Sequence, residues 1–82
     1  MTEGDAPAIL DSARRHGVAD HDIPHAFRNP MWVEPVEDDD LLMYIGPSES
    51  AEILEVGVVE ARDGGPLIVH AMPVRDKFLI GR

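Results

Sequence analysis

The sequence predicts an α+β domain, with two N-terminal helices packed on a four-stranded antiparallel meander sheet. Three observations carry this expectation. Apolar residues before Asn29-Pro30 fall at helical spacing, and those after it fall into four short runs. The links between these runs are too short for crossover helices, so neighbouring strands should be antiparallel.

The first helix is expected from Ala6 to His16. Ile9, Leu10 and Ala13 fall at helical spacing, and Arg14-Arg15-His16 place positive charge in the last turn, where the dipole favours it. Gly17 suits the position after the helix, with Val18 as the apolar residue that follows. A second helix is expected to be capped by Asp20 or Asp22 and to reach Phe27 or Arg28. Pro24 decides between the two caps. With Asp22 as the cap it lies in the first turn, where no backbone donor is missed. Asn29-Pro30 ends this helix, because the residue before proline is pushed out of the helical region.

Four strands follow. Met31 to Val36 is expected at an edge, because Pro35 interrupts it. Leu41 to Ile45 is closed by Gly46-Pro47-Ser48, and Ile53 to Glu60 joins Pro66 to Met72 through the turn residues Asp63-Gly64-Gly65. Alternation places Leu54, Val56 and Val58 on one side of the third strand, with Ile53, Glu55, Gly57 and Val59 on the other. In the fourth, Leu67, Val69 and Ala71 oppose Ile68, His70 and Met72. Both faces are largely apolar. The helices can cover one; the C-terminal tail, a dimer mate or a partner protein must cover the other. Phe27, Trp32 and Phe78 are expected in the core or as anchors of the tail.

With 82 residues the chain suits one domain, 1–82, in which residues 1–5 are expected to be flexible. It has no cysteine, so disulfides and thiolate metal sites are excluded. No apolar run approaches the roughly 20 residues of a membrane-spanning helix. The acidic start lacks the basic region of a signal peptide, so a cytoplasmic location is expected. The formal net charge is −9, which disfavours RNA or DNA, because nonspecific binding comes mainly from phosphate neutralisation by Lys and Arg. The charge is uneven, however. Residues 71–82 hold Arg75, Lys77 and Arg82 against Asp76 alone, whereas the densest acidic block is Glu37-Asp38-Asp39-Asp40. That block reads as a solvated hairpin tip, since it lacks the glycine turn and distant fourth acid of a calcium loop.

Among the histidines, His21 and His25 are four residues apart, a spacing that can hold a metal on a helix. With no evident third ligand, surface or capping roles fit them better, and no metal or other cofactor is expected. His70 lies in a strand-forming run that leads into Arg75 and Lys77. A histidine titrates near neutrality and can move a proton, while neighbouring cations can hold a phosphate. His70, Arg75 and Lys77 therefore form the candidate site of a metal-independent ribonuclease. The alternative is a strand histidine hydrogen-bonded within the sheet, with Arg75 and Lys77 as surface charges. There is no phosphate-binding glycine loop and no nucleophile-elbow serine. The aromatic residues are too few for a single-strand stacking platform.

The order of several short motifs resembles a known family. Ala13-Arg14-Arg15-His16-Gly17-Val18 is followed by Phe27-Arg28-Asn29-Pro30, Tyr44-Ile45-Gly46-Pro47 and Leu54-Glu55-Val56, then by Ile68 to Leu79 with its Ala71-Met72-Pro73-Val74-Arg75 segment. This resembles the BrnT-type toxins of the RelE/ParE-like superfamily over about residues 11–79. The resemblance implies a ribonuclease that arrests growth by cutting RNA, neutralised by an antitoxin that covers its sheet or site. It carries catalytic roles to His70, Arg75 and Lys77, and substrate-binding roles to Arg14, Arg15 and His16. Chains of this type are usually basic and commonly begin with a strand, for which residues 1–5 are poor material. A second expectation, from a different class, is a non-enzymatic interaction module that dimerises or binds a regulator through an apolar sheet face.

Overall fold

The computed structural model of the chain describes residues 7–36 and 40–79. Its centre is a five-stranded sheet in the order β1-β5-β4-β3-β2. The strands are β1 (Ala8–Ile9), β2 (Trp32–Val36), β3 (Leu41–Pro47), β4 (Ile53–Glu60) and β5 (Pro66–Pro73). Strands β2 to β5 form an antiparallel series, whereas β1 pairs parallel to β5, with Ala8 opposite Leu67 and Ile9 opposite Ile68. One α-helix, α1 (Asp22–Arg28), precedes β2. Two helices on a four-stranded antiparallel sheet is therefore not the architecture: among the described residues there is one α-helix, and the sheet is five-stranded and mixed.

The missing first helix has a physical cause. Its apolar signal was Ile9, Leu10 and Ala13, little more than one turn, and isolated helices of that length are marginal in water. The outer edge of β5 offers backbone groups that need partners, and the segment supplies them. Leu10 donates its N–H to the Ile68 carbonyl at 2.9 Å, so Ala8–Ile9 are drawn out as a strand. A 3-10 turn, Asp11–Arg14, follows and buries Ala13. Ala6 and residues 1–5, expected to be flexible, lie outside the described residues.

In α1, Asp22 is the first helical residue and Pro24 stays in the first turn, where its missing N–H costs nothing. The cap position is His21, and neither Asp20 nor Asp22 occupies it. Asn29 ends the helix and returns its side-chain N–H to the His25 carbonyl at 2.8 Å. The end of α1 sits directly on β3. A Cβ built on Gly46 would lie 2.6 Å from the Ala26 carbonyl oxygen, so only glycine permits this approach.

Strand β4 runs from Ile53 to Glu60, and β2 lies at the sheet edge with Pro35 in it. The expected alternation in β5 changes because of a bulge. Gly57 faces His70 and Val58 faces Ile68, which leaves Val69 as the extra residue. Ile68 therefore turns to the side of Ala71, away from His70. The Ser12 hydroxyl caps the bulge by donating to the Val69 carbonyl at 2.6 Å.

Each face has its own core. On one, Ala13, Ile23 and Ala26 pack on Leu54, Val56, Val58, Ile68 and Ala71. On the other, Met43 and Ile45 are covered by Phe78 from a short C-terminal 3-10 turn, Asp76–Phe78. Val74 helps this cover, and its N–H bonds the Ile53 carbonyl at 3.0 Å. The tail thus takes up the second face within the chain. Of the acidic block, Asp40 lies in a turn ahead of β3, whereas Glu37, Asp38 and Asp39 lie outside the described residues. No helix among the described residues is long and apolar enough to cross a membrane.

Candidate functional site

The tail-covered face carries a carboxylate in its core. Glu55 is in mid-β4 with no exposed surface, flanked in sequence by Leu54 and Val56. Burying a charge is costly unless it is paired and hydrogen-bonded. Here Arg75 donates its backbone N–H to Glu55 Oε1 at 2.9 Å, while its guanidinium donates Nε–H at 3.0 Å and Nη2–H at 2.6 Å to Oε2. His70 donates from Nε2 to the same Oε2 at 2.8 Å. Burial pushes the Glu55 carboxyl up, but the donors from Arg75 and His70 outweigh it and hold the group below its ordinary 4.5. Glu55 is therefore ionised at neutral pH.

That charge fixes the neighbouring imidazole. An ionised carboxylate only accepts hydrogen bonds, so His70 must carry a proton on Nε2. When His70 is neutral, Nδ1 holds the lone pair and can take a proton. The glycine opposite makes room for this ring. A Cβ on Gly57 would lie 3.0 Å from the His70 Cβ and 3.1 Å from a Leu41 methyl. Without that side chain, His70 can lean along the strand to reach Glu55.

His16, just past the first 3-10 turn, meets His70 edge-on with ring centroids 5.7 Å apart. Three of the residues singled out in the sequence, His16, His70 and Arg75, are thus brought together from separate segments. Lys77 is exposed, with its ammonium 5.1 Å from the Phe78 ring centroid, and the Arg75 guanidinium stands 5.6 Å from the same ring. Lys77 has no carboxylate partner among the described residues.

Arg14 is occupied elsewhere. Its Nε–H donates to both oxygens of Asp20 at 2.9 and 3.1 Å, and its Nη1 reaches the Ile9 carbonyl at 3.0 Å. Hydrogen bonding to this guanidinium holds Asp20 below the usual carboxylate value. Arg14 therefore ties the first 3-10 turn to the loop before α1. Arg15 is exposed. Glu55 is a site member that no sequence motif singles out. Its signal was a lone acid in an otherwise apolar run, on the same side as Gly57.

His21 and His25 do not share a site. His25 donates from Nδ1 to the Pro47 carbonyl at 2.8 Å, and His21 from Nδ1 to Glu49 at 3.0 Å. The side chains of His21, Asp22 and Glu49 each bring a ligand atom within 4.8 Å of the others, so among the described residues this is the group that could hold a cation. Hydrogen bonds already account for its geometry, since Asp22 also accepts the Glu49 N–H at 3.0 Å. No protein-family model, curated protein or solved structure matches the chain.

Proposed function

We propose that the chain is a metal-independent ribonuclease of the RelE/BrnT-like toxin type, acting through His70 and His16. The observation that carries this reading is the convergence of these two imidazoles beside Arg75, with Glu55 fixing the proton on His70. In the reaction, Nδ1 of His70 takes the proton of an RNA 2′-hydroxyl as that oxygen attacks the adjacent phosphorus. Protonated His16 gives its proton to the departing 5′ oxygen. The products are a 2′,3′-cyclic phosphate and a free 5′-hydroxyl. Such proton transfers contribute about 10²–10⁴-fold to a rate.

Arg75 acts mainly as a positioning residue in this scheme, because Glu55 neutralises it. The phosphate must then be drawn by Lys77 and by protonated imidazole, on a chain of net charge −9. Catalysis is accordingly weak and falls as salt screens those charges. A cytoplasmic location and a neutralising partner, an antitoxin or a second copy, belong to the same reading. The test is induced expression in a bacterial host of the wild type and of the His70→Ala/Arg75→Ala double variant. Growth arrest by the wild type alone is the expected result. Normal growth with soluble, full-length wild type would remove the toxin assignment.

The second reading is a non-catalytic interaction module. The observation that favours it is the same buried ion pair, which anchors the tail and leaves Arg75 without net charge for a substrate. Under this reading Glu55, His70 and Arg75 are a structural clamp, and function resides on an apolar face.

A further inference from the structure

The described residues cover the helix-side face only in part. With seven residues, α1 spans about 10 Å, while the eight residues of β4 run about 26 Å. Its end rests on Gly46, so among the described residues no helix lies above the opposite end of β3 and β4. Cross-strand register places Val33 beside Tyr44, Pro35 beside Leu42, and Leu42 beside Val58, all on this face. Val33 and Leu42 are 41% and 43% exposed, high for apolar side chains in a sheet. Beside them lies a groove of about 520 Å³, lined by Phe27, Leu42, Tyr44 and Val58 among others. Phe27 and Tyr44 rest together with ring centroids 4.9 Å apart. Two exposed carboxylates, Asp40 and Glu60, also line the groove.

We propose that this groove docks a basic amphipathic segment of a partner protein. An apolar side chain of the partner enters between Phe27 and Leu42, and Lys or Arg residues flanking it meet Asp40 and Glu60. Charge selects this occupant. A second copy of the chain would bring the same carboxylates and a net charge of −9 against themselves. A basic segment is attracted by both. Arg62, in the turn between β4 and β5, is not among the residues lining the groove. The inference does not depend on the ribonuclease reading, because Glu55 and His70 belong to the other face of the sheet.

The test uses the isotopically labelled full-length chain and two synthetic amphipathic peptides of identical apolar pattern, one Leu/Lys and one Leu/Glu. Backbone amide shifts report where each binds, at low and moderate salt. The Leu/Lys peptide should shift the amides of Leu42, Tyr44, Val59 and Gly64, bind at least tenfold more tightly than its Leu/Glu counterpart, and weaken with salt. Leu42→Asn should weaken it about tenfold, and Asp40→Asn/Glu60→Gln about threefold, with the rest of the spectrum unchanged. Equal binding of the two peptides, shifts centred elsewhere on the acidic surface, or variants that bind like wild type would each overturn the proposal. So would a complete absence of shifts.

Discussion

Glu55 joins three parts of the molecule through one carboxylate: mid-β4, the β5 histidine and the start of the tail. Its folded pKa lies below the ordinary value, so it contributes stability above that value and loses it as pH falls through the folded one. The wild type should therefore weaken on acidification below about pH 4.5, and Glu55→Gln should flatten that part of the profile. At pH 7 the variant should be about 1.5–3 kcal/mol less stable, the range for hydrogen bonds to a charged group. Urea denaturation of both proteins across pH 3 to 7 checks this. Parallel profiles would show that Glu55 is not the group responsible. The sequence marked His70 and Arg75 through their chemistry, but not the acid between them. A carboxylate in an apolar strand is recognisable as buried only once its partners, 15 and 20 residues away, are known to converge on it.

At the scale of elements, the tail matters more than its length suggests. Phe78 is the buried anchor that closes the second face over Met43 and Ile45. Phe78→Ala should cost about 3 kcal/mol, at the lower end for a large buried aromatic because cover comes from one side only. A shift in the urea midpoint measures it, and a change below about 0.5 kcal/mol would mean the tail is not a structural layer. The strands from β2 to β5 were legible because alternation, Pro35 and the Asp63-Gly64-Gly65 turn are local signals. The expected first helix does not form because parallel pairing with β5 overrides the helical spacing of Ile9, Leu10 and Ala13. The β5 bulge was equally hidden: the Ser12 hydroxyl that satisfies the Val69 carbonyl comes from a segment 57 residues away. Both misses concern the edge of β5, where long-range backbone partners decide the local structure.

For the molecule as a whole, the two faces divide the work. One face is closed by the tail and carries Glu55 and His70, with Arg75 beside them; the other is half-covered by α1 and carries the apolar groove. The net charge of −9 acts on these faces in opposite directions. It opposes RNA at the histidine cluster, where Glu55 cancels Arg75, and favours a basic partner at the groove. The candidate site was legible in part: His16, His70 and Arg75 converge, Lys77 flanks the tail anchor, and Arg14 is held by Asp20. The proposed ribonuclease activity depends on proton transfer by the imidazole pair. Its most direct test is cleavage of a single-stranded RNA oligonucleotide by purified protein in excess chelator, comparing wild type with His70→Ala and His16→Ala at matched fold stability. Slow cleavage leaving cyclic phosphate ends is expected, reduced about 100-fold or more by either substitution. Intact RNA with folded wild type, or cleavage that survives loss of both histidines, would contradict it.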